Sequence, residues 1–433
     1  MKQKKGVSQM NGNIESAVRE LCSSAKTASR SLCAASSGEK NSLIAAAADA
    51  IVSGAADIEK ANAEDIAAAR ENGYPEPMID RLRFDRKRIE SAAAGMREVA
   101  ALPDPCGAGE RMTRPNGLVI TKVRVPLGVV AMIYEARPNV TADAAAITLK
   151  TGNAVVLRGG KEAVRTNRET VRLIRSAIAA MGYPADLVCL IDDVTRESSE
   201  ALMRMRGLVD VLIPRGGRGL IKSVVENSSV PAIETGAGNC HIYIDDSADI
   251  EKSLNVAVNA KCSRPAVCNA AETLLVHEKV KDAFLPRFFE RTREYGLELR
   301  RDAESKAAIK AAHPNAEIKD VTEEDYETEF DDYIMAVRVV PSLDEAISHI
   351  SRYSTMHSEC IMTESIYSAE RFRREIDAAC VYVNASTRFT DGGEFGLGAE
   401  IGISTQKLHV RGPMAAEAMT TIKYYVDGDG QVR

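Results

Sequence analysis

Tryptophan is absent from the sequence, and only 5% of its 433 residues are aromatic. Long apolar runs are missing too, since no stretch approaches the roughly 20 residues that a membrane-spanning helix needs. Met1–Lys5 is basic but is followed by polar residues, so a secretory signal is not predicted. An excess of positive charge is also lacking. The formal net charge is -6, and nucleic acid is therefore not an expected partner.

Metal-ligand patterns are missing as well. The nine cysteines form no CxxC pair and the six histidines are scattered, so no metal site is predicted. Cys189 and Cys360 stand in apolar runs and are expected to be buried small hydrophobes. This pattern of cysteines indicates reduced thiols and a cytoplasmic protein.

What remains is the composition of a large globular chain. It is 45% hydrophobic and has 29 glycines, enough for a sizeable core in two or three domains. Residues 14–101 are rich in alanine with helical periodicity, which predicts a helix over Ile14–Ala35 and another from near Glu39. Asn116-Gly117 joins two β-rich runs and predicts a hairpin arm. A terminal strand near 420–426 is expected to pair with this arm, within one subunit or across subunits.

From Val129 onward, short apolar strands alternate with helices. Four such strands are predicted within 129–213, and a second α/β segment covers 241–383. This alternation indicates an α/β fold with a doubly wound parallel sheet. Because such sheets bind ligands at the carboxyl ends of their strands, residues that follow the strands are the first candidates for a site.

Cys268 is the sharpest local signal. It lies in the run Arg264–Glu272, among polar and cationic residues just before a predicted strand. A nearby cation lowers the pKa of a thiol and raises the fraction of thiolate, which is the nucleophilic form. The sequence around Cys268 therefore favours a catalytic thiol, with a partly buried structural cysteine as the alternative.

Two further segments follow predicted strands. The side-chain amide of Asn139 either donates to an oxyanion or simply caps a helix. In Arg158-Gly159-Gly160-Lys161, the glycines would let the backbone approach a phosphate and the cations suit the 2′-phosphate of NADP. A solvated turn with surface charges is the alternative for this segment. No G-x-G-x-x-G fingerprint follows the first strand, so an orthodox Rossmann site is not predicted.

Seven segments give the chain a resemblance to a known family, the γ-glutamyl phosphate reductases of the aldehyde dehydrogenase superfamily. The segments are 125–128, 134–140, 153–160, 213–217, 234–244, 268–275 and 384–412. The resemblance implies an aldehyde dehydrogenase-like fold and, through a β-hairpin oligomerisation arm, a homo-oligomer. The implied boundaries are 1–108 and 126–240 for the NADP-binding domain, 241–400 for the catalytic domain, and 109–125 with 412–433 for the arm.

The resemblance also assigns site residues. Cys268 falls at the family's nucleophile and Asn139 at the oxyanion asparagine, with the Cys268 N–H as the second donor. Glu234 matches the superfamily's general base, a role that reduction of an acyl phosphate does not need. The residues implied for the cofactor NADPH are Arg158, Gly159, Gly160, Lys161, Gly216, Gly217 and Glu329. Because the implied substrate is anionic, cations and hydroxyls near the matched segments are candidates to bind it, with a surface or interface salt bridge as the alternative for any single arginine. These candidates are Arg137, Arg264, Ser386, Thr387, Arg388 and Arg411.

The function that the resemblance implies is an NADPH-dependent reduction. L-Glutamyl 5-phosphate would become L-glutamate 5-semialdehyde and phosphate through a cysteine thioester, which is the second step of proline biosynthesis from glutamate. Two alternatives stay open at this point. One is a hydrolytic NAD(P)-dependent aldehyde dehydrogenase, and the other is a catalytically silent scaffold partnered with glutamate kinase. That kinase is also a candidate partner of an active enzyme.

Overall fold

The computed structural model describes residues 2–433, except for the side chains of residues 2–12, Pro77 and Arg218. The helices, in chain order, are α1 (Lys2–Ser29), α2 (Ser37–Ser53), α3 (Ala55–Glu71), α4 (Glu76–Leu82), α5 (Arg86–Ala101), α6 (Asn139–Lys150), α7 (Val164–Ala180), α8 (Arg196–Met203), α9 (Arg218–Asn227), α10 (Ile250–Cys262), α11 (Lys281–Thr292), α12 (Ala303–Ala312), α13 (Leu343–Tyr353) and α14 (Ile366–Glu375).

The strands are also given in chain order. They are β1 (Gly109–Thr113), β2 (Val119–Pro126), β3 (Val129–Tyr134), β4 (Ala154–Gly159), β5 (Val188–Leu190), β6 (Val211–Arg215), β7 (Cys240–Ile244), β8 (Ala271–His277), β9 (Glu298–Arg301), β10 (Lys319–Asp320), β11 (Ile334–Val340), β12 (Ser358–Met362), β13 (Cys380–Val383), β14 (Ile403–Ser404), β15 (Gly412–Pro413) and β16 (Thr420–Asp427).

The chain divides into two compact units. Unit 1 runs up to Thr235 and includes 396–402 and 414–433, and unit 2 comprises Gly236–Phe395 with Ile403–Pro413. The first predicted helix begins and ends earlier than expected: α1 runs from Lys2 to Ser29, and Arg30–Ala34 forms a 3₁₀ turn. The second helix begins as a capping box, in which Ser36 and Glu39 satisfy each other's backbone N–H groups.

Unit 1 contains a four-stranded sheet in the order β5-β4-β3-β6. All its strand pairs are parallel, and every residue of β3 and β4 is buried, as the continuous apolar runs in their sequences require. The strand order reverses between β3 and β6, so the carboxyl ends of these two strands flank the switch point at which such sheets bind ligands. The predicted doubly wound sheet is confirmed.

The predicted hairpin arm is also present in unit 1. β1 and β2 pair antiparallel, and β16 pairs antiparallel with the other side of β2 within the same chain. β16 leaves Tyr424, Tyr425 and Val426 exposed along one edge of this small sheet. Among the described residues, no single helix has the length and apolar character to cross a membrane, although the bent pair α2–α3 reaches both when taken together.

Unit 2 is built on a seven-stranded parallel sheet. Its order is β10-β9-β11-β8-β7-β12-β13, so β8 and β7 lie near the centre. Both central strands are buried along their whole length. The helices α10 and α11 pack on this sheet through a core that includes Leu254, Phe284 and Phe288. Because β8 is fully buried, the loop that enters it at Ala271 is fixed to the middle of the sheet.

Candidate active site

Cys268 lies in the loop between α10 and β8. Its side chain is half-buried, whereas Cys189 and Cys360 are buried in strands as predicted. Burial raises the pKa of the Cys189 thiol to about 11 and that of Cys360 to about 12, so both stay protonated and inert at neutral pH. Within the described residues, Cys268 thus differs from these two thiols in its access to solvent.

Residues at and just before the start of β7 contact the backbone of Cys268. The Cys240 thiol, at the start of β7, donates to the Cys268 carbonyl oxygen over 3.3 Å. Gly238 packs so closely on Cys268 that a Cβ atom there would overlap the same carbonyl. The Gly238 N–H donates to Glu329 Oε1 over 2.7 Å. The two-glycine segment 236–238, which has the first half of a nucleotide fingerprint, therefore packs against the thiol loop.

Asn269 connects Cys268 to a distant loop of the same unit. Its Nδ2 donates to the carbonyls of Arg388 (3.2 Å) and Thr390 (3.0 Å), and its Oδ1 accepts from the Arg388 guanidinium. Its own carbonyl accepts from Thr387 Oγ1 over 2.7 Å. Asn269 is buried, and its side-chain amide and carbonyl all bind this loop. The residue next to Cys268 thereby fixes segment 386–391.

Two predicted substrate cations, Arg264 and Arg388, lie near Cys268. Burial and the charge of Arg264 lower the pKa of Arg388, while Cys268 and Asp391 act in the opposite direction. Arg264 is exposed and Arg388 is half-buried. Like charges at close range destabilise each other unless an anion joins them, so this pair is suited to binding an anionic group. We call Cys268, Asn269, Arg264 and Arg388 the thiol site.

The other predicted substrate residues of unit 2 have structural contacts. Thr387 binds the Asn269 carbonyl, and the Ser386 hydroxyl accepts the Arg388 N–H at the start of a 3₁₀ turn. Arg411 donates from Nη1 to Asp377 Oδ1 over 2.7 Å and from Nη2 to the Asp377 carbonyl. These contacts hold the thiol-site loop and the β14–β15 segment in place. Direct binding of substrate by these three residues stays a prediction.

In unit 1, the segment after β3 presents Glu135, Arg137 and Asn139 to solvent. The chain turns at the intervening Ala136, whose φ of 41° is in the left-handed region and whose N–H donates to Glu162 Oε1 over 2.6 Å. Asn139 is the first residue of α6 and makes no capping bond, so the helix-cap alternative is wrong. Its Nδ2 instead donates to Asp143 Oδ2 over 3.0 Å.

Asp143 itself was not predicted from the sequence. Burial raises the pKa of its carboxyl to about 6, although Asn139 and Arg215 act in the opposite direction. It stands one helical turn after Asn139, and residues four apart share a helix face. Asp143 therefore orients the amide of Asn139 from the helix side.

The predicted cation pair divides into two different environments, since Arg158 lies within β4 and Lys161 follows it. Arg158 is buried, and it donates from Nη2 to the Thr195 carbonyl over 2.7 Å and from Nη1 to the Gly159 carbonyl over 3.2 Å. Burial lowers the pKa of Arg158. Lys161 is exposed. The solvated-turn alternative is thus wrong for Arg158, which ties β4 to the start of α8. The exposure of Lys161 fits both that alternative and a contact with phosphate.

Gly216 and Gly217 open α9 at the end of β6, as predicted. The Gly217 N–H donates to Glu135 Oε2 over 3.0 Å, and a Cβ atom on Gly216 would overlap that carboxylate. A negatively charged oxygen group thus stands at the N-terminus of the helix, which shows that this corner accepts anionic oxygen. We call the carboxyl ends of β3, β4 and β6 the nucleotide edge. The carboxylates of Glu135 and Glu162 pack against its glycines Gly216 and Gly160.

No group of three or more histidine, cysteine or acidic side chains that could hold a metal ion occurs among the described residues. Asn269, Asp391 and Cys240 are the residues of the thiol site's surroundings that the sequence did not single out. Asn269 is adjacent to the predicted nucleophile, and Asp391 falls inside segment 384–412. The sequence could have indicated Asn269 and Asp391 through these positions.

Comparison with known proteins gives four concordant results. The sequence model of the aldehyde dehydrogenase family matches residues 3–329. A γ-glutamyl phosphate reductase of Carboxydothermus hydrogenoformans is 56% identical over 373 residues, which cover 86% of this chain and 88% of that protein. One of Clostridium perfringens is 54% identical over 378 residues, or 87% and 90% of the two chains. The crystal structure of γ-glutamyl phosphate reductase from Thermotoga maritima matches with a TM-score of 0.92 at 44% identity, covering 96% of this chain and 99% of that one.

Proposed function

This chain belongs to the aldehyde dehydrogenase family and, within it, to the γ-glutamyl phosphate reductases, and we propose that it reduces L-glutamyl 5-phosphate to L-glutamate 5-semialdehyde with NADPH. The predicted family and fold are confirmed. The chain is an oxidoreductase, and enzymes of its family use nicotinamide cofactors. The observation that carries the proposal is the half-buried Cys268 with Arg264 and Arg388 beside it, because the substrate is an anionic acyl compound.

The proposed reaction begins at Cys268. Its thiolate attacks the γ-acyl carbon of glutamyl phosphate, the C–O bond to phosphate breaks, and a thioester forms. NADPH supplies the hydride that reduces the thioester. The resulting thiohemiacetal releases the semialdehyde and returns the thiol. Phosphate is a good leaving group, and a guanidinium fork that binds it would stabilise its negative charge as it departs.

The oxyanion formed in each step needs hydrogen-bond donors. We propose the Cys268 backbone N–H and the Asn139 side-chain amide, as the resemblance implies. Asp143 accepts one Nδ2 hydrogen of Asn139, which fixes the direction of the other. Removing one oxyanion donor typically lowers the rate by about 10²–10³-fold. The proposal for Asn139 rests on the family resemblance and on this orientation.

Anion recognition is proposed for the arginines at Arg264 and Arg388, with Arg137 and Arg411 as further candidates from the resemblance. Ser386 and Thr387 are proposed to act by holding segment 386–391 in addition to any contact with substrate. Arginine suits both ends of the substrate because its planar fork binds carboxylate and phosphate with two parallel hydrogen bonds. Glu234 has no step in this reaction, since no water needs to be activated.

The proposed cofactor is NADPH at the nucleotide edge. Gly216 and Gly217 would hold its pyrophosphate. Gly159 and Gly160 are proposed from the resemblance alone, since the side chains of Asn167 and Glu162 pack directly against them. Lys161 is proposed for the 2′-phosphate because it is exposed. Arg158 is buried against the start of α8 and would contribute its positive charge to the electrostatic field at that phosphate. Glu329 is proposed to hold the nicotinamide ribose through its carboxylate.

The test runs the reaction in the oxidative direction. The enzyme is given glutamate 5-semialdehyde and NADP⁺, with and without phosphate, and NADPH is followed by absorbance. We expect turnover that requires phosphate in the wild type and no detectable turnover in Cys268→Ala. Cys33→Ala, which removes an exposed thiol, is the matched control and should keep wild-type activity. Sustained turnover without phosphate would instead favour the hydrolytic aldehyde dehydrogenase.

The catalytically silent scaffold is distinguished by the same assay. A scaffold would form no NADPH in the wild type or in Cys33→Ala, while its binding of glutamate kinase would persist. Association with a kinase, and assembly into a homo-oligomer through the hairpin arm, are proposals that sedimentation of the chain alone and with the kinase would test. The exposed edge of β16 supports the second proposal, because an unpaired strand edge offers main-chain groups to another chain.

A further inference from the structure

We propose that Arg388 and Asp391 together recognise the amino-acid head of the substrate, and that this recognition also prevents the substrate's α-amine from attacking its own γ-acyl group. Arg388 would bind the α-carboxylate and Asp391 the α-ammonium. The inference rests on the proposed function, because it names the part of glutamyl phosphate that each group contacts.

The first support is the way segment 386–391 is fastened to the residue beside the nucleophile. Asn269 holds the main-chain carbonyls of Arg388 and Thr390 and also the Arg388 guanidinium. Asp391 follows Thr390 directly in the chain. Arg388 interacts electrostatically with both Cys268 and Asp391. The head of the five-carbon substrate must lie a few bonds from Cys268 when the acyl carbon (Cδ) is on the thiol.

The second support is the difference between the two arginines near Cys268. Arg264 is exposed, and phosphate must leave to solvent before hydride transfer, so an exposed cation suits it. The α-carboxylate stays bound through both chemical steps. Arg388 is half-buried, and Asn269 Oδ1 and Ser263 Oγ (3.4 Å) accept hydrogen bonds from its guanidinium. A positioned cation of this kind suits the group that anchors the substrate throughout.

The third support is the fixed orientation of Asp391. Its Oδ1 accepts the N–H of Gly393 over 2.8 Å and that of Glu394 over 3.3 Å, which holds the carboxylate at the start of the following turn. The side chain is exposed, and its charge acts on Arg388. A carboxylate and a guanidinium on one short segment match the opposite charges that an α-amino acid carries on one carbon atom.

The chemical consequence concerns a five-membered ring. A neutral α-amine would attack the carbonyl carbon (Cδ) of the thioester, the C–S bond would break, and 5-oxoproline would form, with the amine proton passing to the Cys268 thiolate. An ammonium group has no lone pair and cannot make this attack. Because a nearby carboxylate favours the charged form of an amine, Asp391 would keep the acyl-enzyme from destroying its own intermediate.

The first experiment measures this side reaction. Without phosphate, NADP⁺ and glutamate 5-semialdehyde load the thioester on Cys268 and release NADPH, after which ring closure is the route to 5-oxoproline. The variant Asp391→Asn keeps an oxygen for the two N–H groups but loses the charge. We expect it to form 5-oxoproline, measured by mass spectrometry, about tenfold faster than the wild type. Equal rates would overturn the protective role.

The second experiment measures recognition, with phosphate present. Glutarate semialdehyde has the same chain as the substrate but lacks the α-ammonium. We expect Asp391→Asn to lower kcat/KM for glutamate semialdehyde by about 10- to 100-fold and to leave kcat/KM for glutarate semialdehyde unchanged. Arg388→Lys should lower both. Asp320→Asn, an exposed acid of β10 that pairs with Lys306, is the matched control.

The outcomes separate this inference from the proposed function. If the wild type fails to oxidise either aldehyde with phosphate, the proposed function is wrong. If the wild type is active but Asp391→Asn lowers kcat/KM for both aldehydes equally, the reaction stands and the assignment of Asp391 to the α-ammonium falls. If Arg388→Lys affects neither aldehyde, the carboxylate is bound elsewhere.

Discussion

The nucleotide edge of unit 1 and the thiol site of unit 2 are both proposed to receive anionic groups, yet the chain prepares them differently. At the nucleotide edge, backbone N–H groups of Ala136 and Gly217 already donate to the carboxylates of Glu162 and Glu135. At the thiol site, Arg264 and Arg388 lie close enough that one lowers the pKa of the other. The donors of the nucleotide edge thus bind carboxylates of the protein itself, whereas the thiol site places two cations near each other.

This difference has a thermodynamic meaning. Backbone donors that are satisfied by internal carboxylates stabilise the free protein, so a cofactor phosphate must replace an existing hydrogen bond and gains only the difference. Cations that repel each other destabilise the free protein, and an anion that joins them gains the relief of that repulsion as well. We therefore expect substitutions at the thiol site to have larger effects on ligand binding than those at the nucleotide edge.

Asn269→Ala is the substitution with the largest expected effect on this comparison. It leaves the carbonyls of Arg388 and Thr390 without their donor, which typically costs about 1–3 kcal/mol in the free energy of unfolding. It also releases the Arg388 guanidinium, so kcat/KM should fall by about 10- to 100-fold per folded molecule. Denaturant unfolding and the phosphate-dependent assay measure the two effects.

Asn62→Ala provides the matched control in unit 1. Asn62 is also buried, and it binds the Leu82 carbonyl, Thr166 Oγ1 and the Phe84 N–H. A similar loss of stability is expected, with normal kcat/KM in the molecules that remain folded. If both variants lost activity only in proportion to unfolding, Asn269 would be a structural residue and not a positioning one.

Much of the fold could be predicted because its signals are local. The apolar run Val129–Tyr134 has no face to expose to water, so it indicates a buried parallel strand wherever it occurs. The predicted Asn116-Gly117 turn depends on three or four neighbouring residues. The Ser36–Glu39 capping box is equally local, although only a helix start near Glu39 was predicted there. The 3₁₀ turn at Arg30–Ala34 was missed because alanine-rich sequence continues past the end of α1.

A residue of the candidate site could be predicted only where its own type and its sequence neighbours indicate its chemistry. Cys268 could be identified from neighbouring cations, but the hydrogen bond from Thr387 to the Asn269 carbonyl joins residues 118 positions apart. Nothing in the local sequence indicates such a contact. Arg158 illustrates the same limit. A cation at the end of a strand has the same local sequence whether it faces a ligand or, as here, donates to the Thr195 carbonyl.

One buried group in each unit should also make stability respond to pH, and the two groups act with opposite signs. Burial lowers the pKa of His357 in unit 2 to about 4, so between about pH 6.5 and 4 the unfolded chain binds a proton that the folded one does not. Stability contributed by His357 is therefore lost as pH falls through this window, by up to about 3 kcal/mol. Burial raises the pKa of Asp143 in unit 1 to about 6, so its contribution is lost as pH rises from about 4 to 6.

His357→Gln tests the acid side of this contrast. His357 is fully buried next to Ser358 and Cys240, and glutamine keeps a polar group there without a titrating ring. The difference in free energy of unfolding between pH 7 and pH 4.5, measured in urea, should shrink in the variant. Asp143→Asn should shift the same difference in the opposite direction. Identical pH profiles for His357→Gln and the wild type would remove His357 as a source of acid sensitivity.

The smallest expected effect tests the nucleotide edge directly. Glu135→Gln keeps an oxygen for the Gly217 N–H but removes the negative charge from the N-terminus of α9. A neutral acceptor makes the weaker hydrogen bond and no longer repels a phosphate, so the Kd for NADPH should fall by about 3- to 10-fold in a fluorescence titration. Glu90→Gln, which removes an exposed acid paired with Arg86, should leave the Kd unchanged. Weaker binding in Glu135→Gln would mean that this carboxylate holds the cofactor instead of competing with it, and the contrast between a self-satisfied edge and a cationic thiol site would not hold.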